Sequence, residues 1–195
     1  ARTEKIRIGT PATNSAPDPT SGALSPPIQL ATTFEHTPDG QLPQGYLYQR
    51  YDNPTQHETE QVLAALDGAA RALLFPTGMA AGATALQALP AGSHVLLCDD
   101  SYFSFRALAM QQFPRWGLSC TLVDFTDLAA VRAALRPETR LLWAETPSNP
   151  LLKVCDITAL AAIAHDAGAQ LLVDGTFAPP VLQLPLARGA DIVLH

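Results

Sequence analysis

The segment RLLWAETPSNPLLKVCDITALAAIAHDAGAQLLVD, residues 140–174, decides the fold. A short apolar run stands at each of its two ends, and both runs have the length and composition of buried strands. Between them, residues 157–167 follow a helical pattern, with Asp156 as the N-cap and Gly168 as the end of the helix. A strand, a helix and a second strand in this order predict a unit of a parallel sheet.

The same alternation extends in both directions from this segment. Continuous apolar runs between helices are typical of a mostly parallel sheet that is covered on both faces. We therefore predict an α/β fold with helices on both sides of the sheet. The predicted strands are 93–98, 120–123, 140–144, 170–173 and 191–194, with a further strand-like run at 72–75, and the remaining predicted helices are 55–68, 79–89, 103–113 and 128–135.

Residues 1–46 differ from the rest, since they contain seven of the 17 prolines together with many Thr, Ser and Gly residues. This composition predicts an extended arm with turns. A solvated tail is the alternative, but it would not carry so much apolar and aromatic surface. We expect the arm to rest on another surface, such as a second subunit. Its apolar and aromatic residues, with those directly after it, are Ile28, Leu30, Phe34, Tyr46, Tyr48 and Tyr51.

The composition argues against several classes of protein. The chain has 195 residues, a formal net charge of −6 and no run of Lys or Arg, which disfavours nucleic-acid binding. No apolar stretch reaches the ~18–20 residues that would span a bilayer. Cys98, Cys120 and Cys155 have neither metal-ligand spacing nor the pattern of a disulfide framework. A reducing, cytoplasmic setting fits these features best.

Acidic residues follow three of the predicted strands. Asp99 and Asp100 come after the strand at 93–98, Glu145 after the strand at 140–144, and Asp174 after the strand at 170–173. Ligands of open α/β sheets bind outside the carboxyl ends of the strands. Each acid alone is equally compatible with a turn or a helix N-cap. Together they indicate a ligand with a cationic or protonated group.

Two loops add polar groups to this predicted edge. In Phe75-Pro76-Thr77-Gly78-Met79-Ala80-Ala81-Gly82, a strand would lead through a small turn into a helix, whose free N–H groups could bind a phosphate. A plain turn before an Ala-rich helix is the alternative. In Glu145-Thr146-Pro147-Ser148-Asn149-Pro150, two prolines fix an acid and an amide directly after a strand. That placement favours a binding loop over a simple proline-rich turn.

Six segments, in this order, carry a family resemblance from about Thr20 onward. The chain resembles the Cys/Met-metabolism enzymes that use pyridoxal 5'-phosphate (PLP): cystathionine γ-synthase, γ-lyase and β-lyase, and methionine γ-lyase. The segments are Tyr48-Gln49-Arg50-Tyr51-Asp52-Asn53-Pro54-Thr55, Thr77-Gly78-Met79-Ala80-Ala81, Asp99-Asp100-Ser101-Tyr102, Glu145-Thr146-Pro147-Ser148-Asn149-Pro150, Val173-Asp174-Gly175-Thr176-Phe177 and Gly189-Ala190-Asp191-Ile192-Val193-Leu194-His195.

The resemblance implies the PLP-dependent transferase-like fold of the aspartate aminotransferase type (fold type I). Residues 1–54 would form an arm that reaches a neighbouring subunit, and 55–195 would form part of the large PLP-binding domain. Thr77, Gly78 and Met79 would hold the PLP phosphate. Tyr48 and Arg50 would reach the same phosphate from the neighbouring subunit of a homo-oligomer, expected to be a dimer of dimers.

The remaining implied roles concern the PLP ring. Tyr102 would stack on it, and Asp174 would pair with its protonated nitrogen, so these two are the expected catalytic residues. Asn149 would bond the phenolic oxygen, and Thr176 would complete the cofactor-binding set. Glu145 would support these residues without binding the cofactor.

Three departures from the family pattern affect the expected activity. Gly175 replaces the usual Asn after Asp174, and Phe103-Ser104-Phe105 replaces a Gly-rich stretch, which makes methionine γ-lyase less favoured. The Ser-x-Thr-Lys motif with the PLP-binding lysine would follow directly after His195. We expect the working polypeptide to continue through that lysine and a C-terminal domain, because Lys153 has no matching motif.

The expected activity is C–S bond cleavage or replacement in a sulfur amino acid. We favour a cystathionine γ-lyase-like enzyme, then a β-lyase, then a γ-synthase. A non-catalytic PLP-fold fragment that acts as an interaction module is the alternative from another class.

Overall fold

A computed structural model describes residues 21–195. The prolines at positions 11, 17 and 19, and the start of the predicted arm, lie outside the described residues. The chain divides into two compact units, one ending at Leu74 and one covering Phe75–His195. The assignment of 1–54 to an arm and 55–195 to a domain stays a prediction.

The first unit contains one helix, α1 (Pro54–Asp67), among its described residues. The side chain of Asn53 accepts a hydrogen bond from the Gln56 N–H at 2.9 Å, and Pro54 takes the first helical position, where no N–H is needed. Gly68 ends the helix in the left-handed conformation, with φ of 67°, as predicted from the sequence. Before the helix, Thr33 forms an isolated bridge with Tyr48.

The second unit is a five-stranded, all-parallel sheet with the strand order β2-β1-β3-β4-β5. The predicted α/β fold is therefore confirmed. Its elements in chain order are α2 (Gly78–Gln87), β1 (His94–Cys98), α3 (Phe103–Gln111), a 3₁₀ turn (Phe113–Trp116), β2 (Ser119–Val123), α4 (Leu128–Ala134), β3 (Thr139–Glu145), α5 (Ile157–Asp166), β4 (Gln170–Asp174), a 3₁₀ turn (Leu186–Arg188) and β5 (Ile192–Leu194).

Two apolar cores cover the two faces of this sheet. Successive residues of a strand point to opposite faces, so Leu142 and Ala144 pack in one core while Leu141 and Trp143 pack in the other. The first core includes side chains of α4 and α5, and the second includes side chains of α2 and α3. This double coverage explains why the central strands read as unbroken apolar runs.

The prediction of a strand at 72–75 is wrong. Leu73 and Leu74 are exposed, and the Leu74 N–H donates to the Glu60 carboxylate at 2.8 Å instead of to a neighbouring strand. Pro76 follows at once and has no N–H to contribute to a ladder. The turn at Thr77 is therefore preceded by irregular backbone.

The strand order places a topological switch point between β1 and β3. From β1 the chain moves outward to β2, then returns to form β3 on the other side of β1. The loops after β1 and β3 therefore leave the sheet in opposite directions, which opens a crevice between them. The acids Asp99, Asp100 and Glu145 lie at this point.

No helix within residues 21–195 is both long and apolar enough to cross a membrane.

Candidate active site

Glu145 and Asp174 are the last residues of two adjacent strands, and they are register partners across β3 and β4. Both are buried, with 7% and 4% of their surface exposed. From the sequence, both strands were predicted to end one residue earlier, at 144 and 173. Because both residues lie inside the sheet, the ladder fixes their backbones, and the edge has a defined pair of acids.

Burial raises the pKa of Glu145 to about 7. The carboxylates of Asp174 and Asp100 add to this effect, while the Tyr102 N–H and the charge of Arg106 oppose it. A carboxyl group with this pKa is partly protonated at neutral pH. Such a raised pKa is unusual for Glu and is found most often at functional sites.

Asp174 is held by Thr176, which the family resemblance places in the cofactor-binding set. The backbone N–H and the hydroxyl of Thr176 both donate to its Oδ1, at 3.1 and 2.7 Å. Burial raises the pKa of Asp174, and the two Thr176 bonds and the nearby His195 oppose that rise. Thr176 therefore orients the acid and favours its charged form.

Tyr102 is the N-cap residue of α3, with its ring partly exposed. Its side chain does not cap the helix; its backbone N–H donates to Glu145 Oε2 at 2.6 Å. The ring packs edge-on against Phe103 and Phe105, with centroids 5.0 and 6.1 Å away. Glu145 thus holds the backbone of Tyr102, and its supporting role toward the cofactor site stays a prediction.

Asp100 ties the proline-rich loop to the end of β1. Its Oδ2 accepts hydrogen bonds from the Ser148 hydroxyl at 2.5 Å and from the Leu151 N–H at 3.0 Å. Its backbone carbonyl accepts the Asn149 N–H at 3.1 Å. The loop that presents Asn149 is therefore anchored at three points. Asp100 and Ser148 stand in segments that carry the family resemblance, but neither was predicted from the sequence to have this anchoring role.

The turn before α2 has the predicted cap. Thr77 accepts the Ala80 N–H at 3.0 Å through its hydroxyl, so the side chain satisfies one of the free N–H groups of the first turn. A Cβ at Gly78 would have only the His195 carbonyl oxygen within 4.0 Å. An anion could therefore approach the N–H groups of the first turn closely.

His195 is a residue that the sequence reasoning missed. It lies against Gly175 as well as near Gly78: a Cβ at Gly175 would be 3.2 Å from the His195 ring carbon Cε1. The glycine that departs from the family pattern therefore leaves room for this ring. Its position directly after a strand at the ligand edge was the available signal.

Tyr48 and Arg50 lie together in the first unit. The Arg50 guanidinium donates to the Tyr48 hydroxyl at 3.3 Å and sits 5.3 Å from the centre of its ring. Their approach to a partner's phosphate stays a prediction. Lys153 is engaged elsewhere, because its Nζ donates to Asp124 at 2.8 Å and to Asp99 at 3.5 Å.

The residues of the second unit fit PLP. A helix N-terminus suits its phosphate, a partly exposed tyrosine ring can stack on its ring, and a buried carboxylate oriented by Thr176 suits a protonated ring nitrogen. Such a set at the carboxyl ends of a parallel sheet defines a PLP-binding α/β domain.

Comparison with known proteins agrees with this class. The family model described as Cys/Met metabolism PLP-dependent enzyme matches residues 9–195, and the chain belongs to that family. The predicted resemblance and the PLP dependence are thereby confirmed. The roles of the individual site residues stay predictions.

Three relatives illustrate the similarity. A cystathionine gamma-synthase of Mycobacterium bovis is 46% identical over 200 residues, which cover 100% of this chain and 52% of that protein. A cystathionine beta-lyase of Lactococcus lactis subsp. cremoris is 43% identical over 178 residues, which cover 91% of this chain and 47% of that protein. The crystal structure of cystathionine gamma-lyase from Lactobacillus plantarum, complexed with L-serine, has a TM-score of 0.88 at 39% identity and covers 95% of this chain and 48% of that one.

The chain spans about half the length of these relatives. The names of the sequence relatives favour the γ-synthase and β-lyase alternatives over the γ-lyase activity that we preferred from the sequence.

Proposed function

We propose that the protein containing this chain is a PLP-dependent enzyme of transsulfuration with cystathionine γ-synthase-type activity. It would replace the γ-substituent of an activated homoserine by the sulfur of cysteine. The observation that carries this proposal is the 46% identity over the whole chain to a cystathionine gamma-synthase. The six segments that carry the family resemblance support it.

The side chains of the second unit have distinct parts in this activity. Bound PLP supplies an electron sink at the substrate's reacting carbon. Asp174, oriented by Thr176, keeps the ring nitrogen protonated. Tyr102 covers one face of the ring and excludes water from it, and Asn149 bonds the phenolic oxygen. Thr77, Gly78 and Met79 hold the phosphate through the first turn of α2.

Cystathionine β-lyase activity is the second candidate. It rests on the 43% identity to the Lactococcus lactis enzyme, which is nearly as high and covers 91% of the chain. The two activities differ in the bond that breaks, since the β-lyase cleaves cystathionine itself while the γ-synthase makes it.

One assay separates these candidates. The polypeptide as encoded is incubated with PLP and either an O-acylated homoserine plus cysteine or cystathionine alone, and the products are identified by mass spectrometry. Cystathionine formed from the first mixture supports the γ-synthase. Pyruvate from cystathionine alone identifies a β-lyase, and 2-oxobutyrate identifies a γ-lyase. No turnover with any of these substrates would contradict the whole proposal.

We also propose that the working enzyme is a homo-oligomer in which Tyr48 and Arg50 enter the neighbouring subunit's site. Ile28 and Leu30 support this, because 77% and 82% of their surface is exposed within the chain, and such apolar arms commonly bury themselves at an interface. Mixing inactive Arg50→Ala protomers with inactive Asp174→Asn protomers tests it. If the sites are shared, random pairing gives mixed dimers in about half of the cases, and each mixed dimer has one intact site of two. The mixture should therefore recover up to about a quarter of the wild-type activity. No recovery would place Arg50 in its own chain's site.

A further inference from the structure

Two loops at the switch point carry the residues expected to contact the PLP ring. The loop after β1 ends in Tyr102, and the loop after β3 contains Asn149. Each loop is held by a carboxylate that belongs to the other side of the switch point. The contacts are therefore reciprocal.

The first contact runs from β3 to the β1 loop. Glu145 is the last residue of β3, and its Oε2 accepts the Tyr102 N–H at 2.6 Å. Tyr102 caps α3 without a side-chain bond to the helix, so this carboxylate fixes the point at which the helix begins. The backbone position of Tyr102, and with it the base of its ring, depends on Glu145.

The second contact runs from the β1 loop to the β3 loop. Asp100 accepts the Ser148 hydroxyl and the Leu151 N–H on one oxygen, and its carbonyl accepts the Asn149 N–H. The Ser148 hydroxyl oxygen in turn accepts the Lys153 N–H at 2.9 Å. The backbone on both sides of Asn149 is thereby attached to the end of β1.

We propose that Glu145 and Asp100 are positioning residues that together set the spacing between Tyr102 and Asn149 for the PLP ring. This inference rests on the proposed PLP-binding roles of those two residues. It adds these two residues, and Ser148 as the hydroxyl partner of Asp100, to the set on which cofactor binding depends.

A purely structural role explains these acids less well. Either loop could be closed by a turn residue with a neutral side chain, which would avoid the cost of burying a charge. Instead, Asp100 and Glu145 are both buried, with 5% and 7% exposed, within one crowded acidic edge. Such an unfavourable arrangement is expected where geometry at a site matters more than stability.

The test uses the complete polypeptide with Glu145→Ala, Glu145→Gln, Asp100→Ala and Asp100→Asn. The Gln and Asn side chains keep an oxygen that can accept the same N–H and hydroxyl donors. Asp191→Ala is the matched control. The Asp191 carboxylate also accepts a backbone N–H, from Leu171 at 2.8 Å, but it lies at the opposite edge of the sheet.

Four quantities are measured: the PLP dissociation constant from the cofactor absorbance, the hydrogen exchange of the apo protein over 99–102 and 146–151, KM and kcat. Both alanine variants should weaken PLP binding at least tenfold and speed exchange in the loop that loses its acceptor. Where substrate is turned over, kcat should fall by up to ~100-fold, which is the cost of misplacing a reacting group by about 1 Å. The Gln and Asn variants should recover most of the PLP affinity.

The control decides between positioning and general stability. Asp191→Ala should leave the PLP dissociation constant unchanged. The proposal is overturned if Asp191→Ala weakens PLP binding as much as the alanine variants of the edge, or if those variants bind PLP normally. If an alanine variant does not fold, Ser148→Ala decides, since it removes only a hydroxyl; an unchanged PLP affinity there overturns the proposal. PLP binding and exchange need no substrate, so these results stand even if the proposed γ-synthase activity fails.

Discussion

Replacement of Asp174 by Asn should separate stability from function in this protein. The Asn side chain has the same shape as Asp. Its Oδ1 can still accept both Thr176 donors, which lie 3.1 and 2.7 Å from Oδ1 of Asp174 in the native chain. Burial already raises the pKa of Asp174, so the folded chain holds this charge at a cost. Removing the charge should leave the melting temperature of the apo protein unchanged or raise it.

The affinity for PLP, in contrast, should fall in Asp174→Asn. One charge-assisted hydrogen bond contributes about 1.5–3 kcal/mol. Since ~1.4 kcal/mol corresponds to a tenfold change, the PLP dissociation constant should rise by about 10- to 150-fold. Turnover should fall further, because an unprotonated ring withdraws electrons less well, and each further ~1.4 kcal/mol on the barrier costs another factor of ten.

Differential scanning calorimetry of the apo protein, PLP titration by absorbance and turnover at saturating PLP measure these three effects. Thr176→Val is the companion variant, because it removes the 2.7 Å hydroxyl bond but keeps the charge. It should weaken PLP binding less than Asp174→Asn does. Near-normal turnover in Asp174→Asn, or a collapse of apo stability that accounts for the lost affinity, would refute the reasoning.

Three further predictions concern the second unit. Gly82→Ala should lower the free energy of unfolding by ~1–3 kcal/mol in chemical denaturation, because the added Cβ would lie 2.3 Å from Phe105 Cε1 and 2.7 Å from Trp143 Cη2. The cost of this overpacking exceeds the ~1 kcal/mol gained in helix propensity. A stabilised variant, or a Gly82→Ala effect that is just as large in a Phe105→Leu background, contradicts this prediction. Stability should fall as the pH drops below about 6.5, with a slope of up to ~1.4 kcal/mol per pH unit, because burial lowers the pKa of the fully buried His94 and the unfolded chain then binds the proton more readily. The His94→Leu variant should lack this part of the slope in urea titrations at several pH values, and an identical slope would show that another group is responsible. Borohydride reduction of the PLP-loaded polypeptide should leave Lys153 unmodified in peptide mass spectra, because its bond to Asp124 raises its pKa and keeps it protonated; a cofactor mass on the Lys153 peptide would disprove this.

The fold was predictable because its signals are local. Residues 141–144 and 171–173 are buried on both faces, and such strands leave unbroken apolar runs in the sequence. Asp156 was predicted as an N-cap and accepts the Ala159 N–H at 3.0 Å. The run at 72–75 has the same apolar character but lacks a partner strand, and composition alone could not reveal that.

The site was less predictable because its contacts join distant parts of the chain. The Asp100–Ser148 and Tyr102–Glu145 bonds connect residues 48 and 43 positions apart. The sequence placed all four at one edge, but only the register and the switch point show which donor meets which acceptor. The role of Gly175 depends in the same way on the position of the His195 ring.

The acidic edge itself indicates which group meets the cationic end of a ligand. Glu145 and Asp174 are register partners, and the charge of Asp174 adds to the burial that raises the pKa of Glu145. At neutral pH Glu145, with its pKa at about 7, is partly protonated, and the Tyr102 N–H and Arg106 stabilise the charge that remains. Asp174 has two bonds from Thr176 and the neighbouring His195 to favour its ionised form. The two environments therefore give the two carboxyl groups different parts: Glu145 positions Tyr102, and Asp174 binds the ligand. A protonated ring nitrogen beside Asp174 would offset the charge that the fold otherwise holds at a cost.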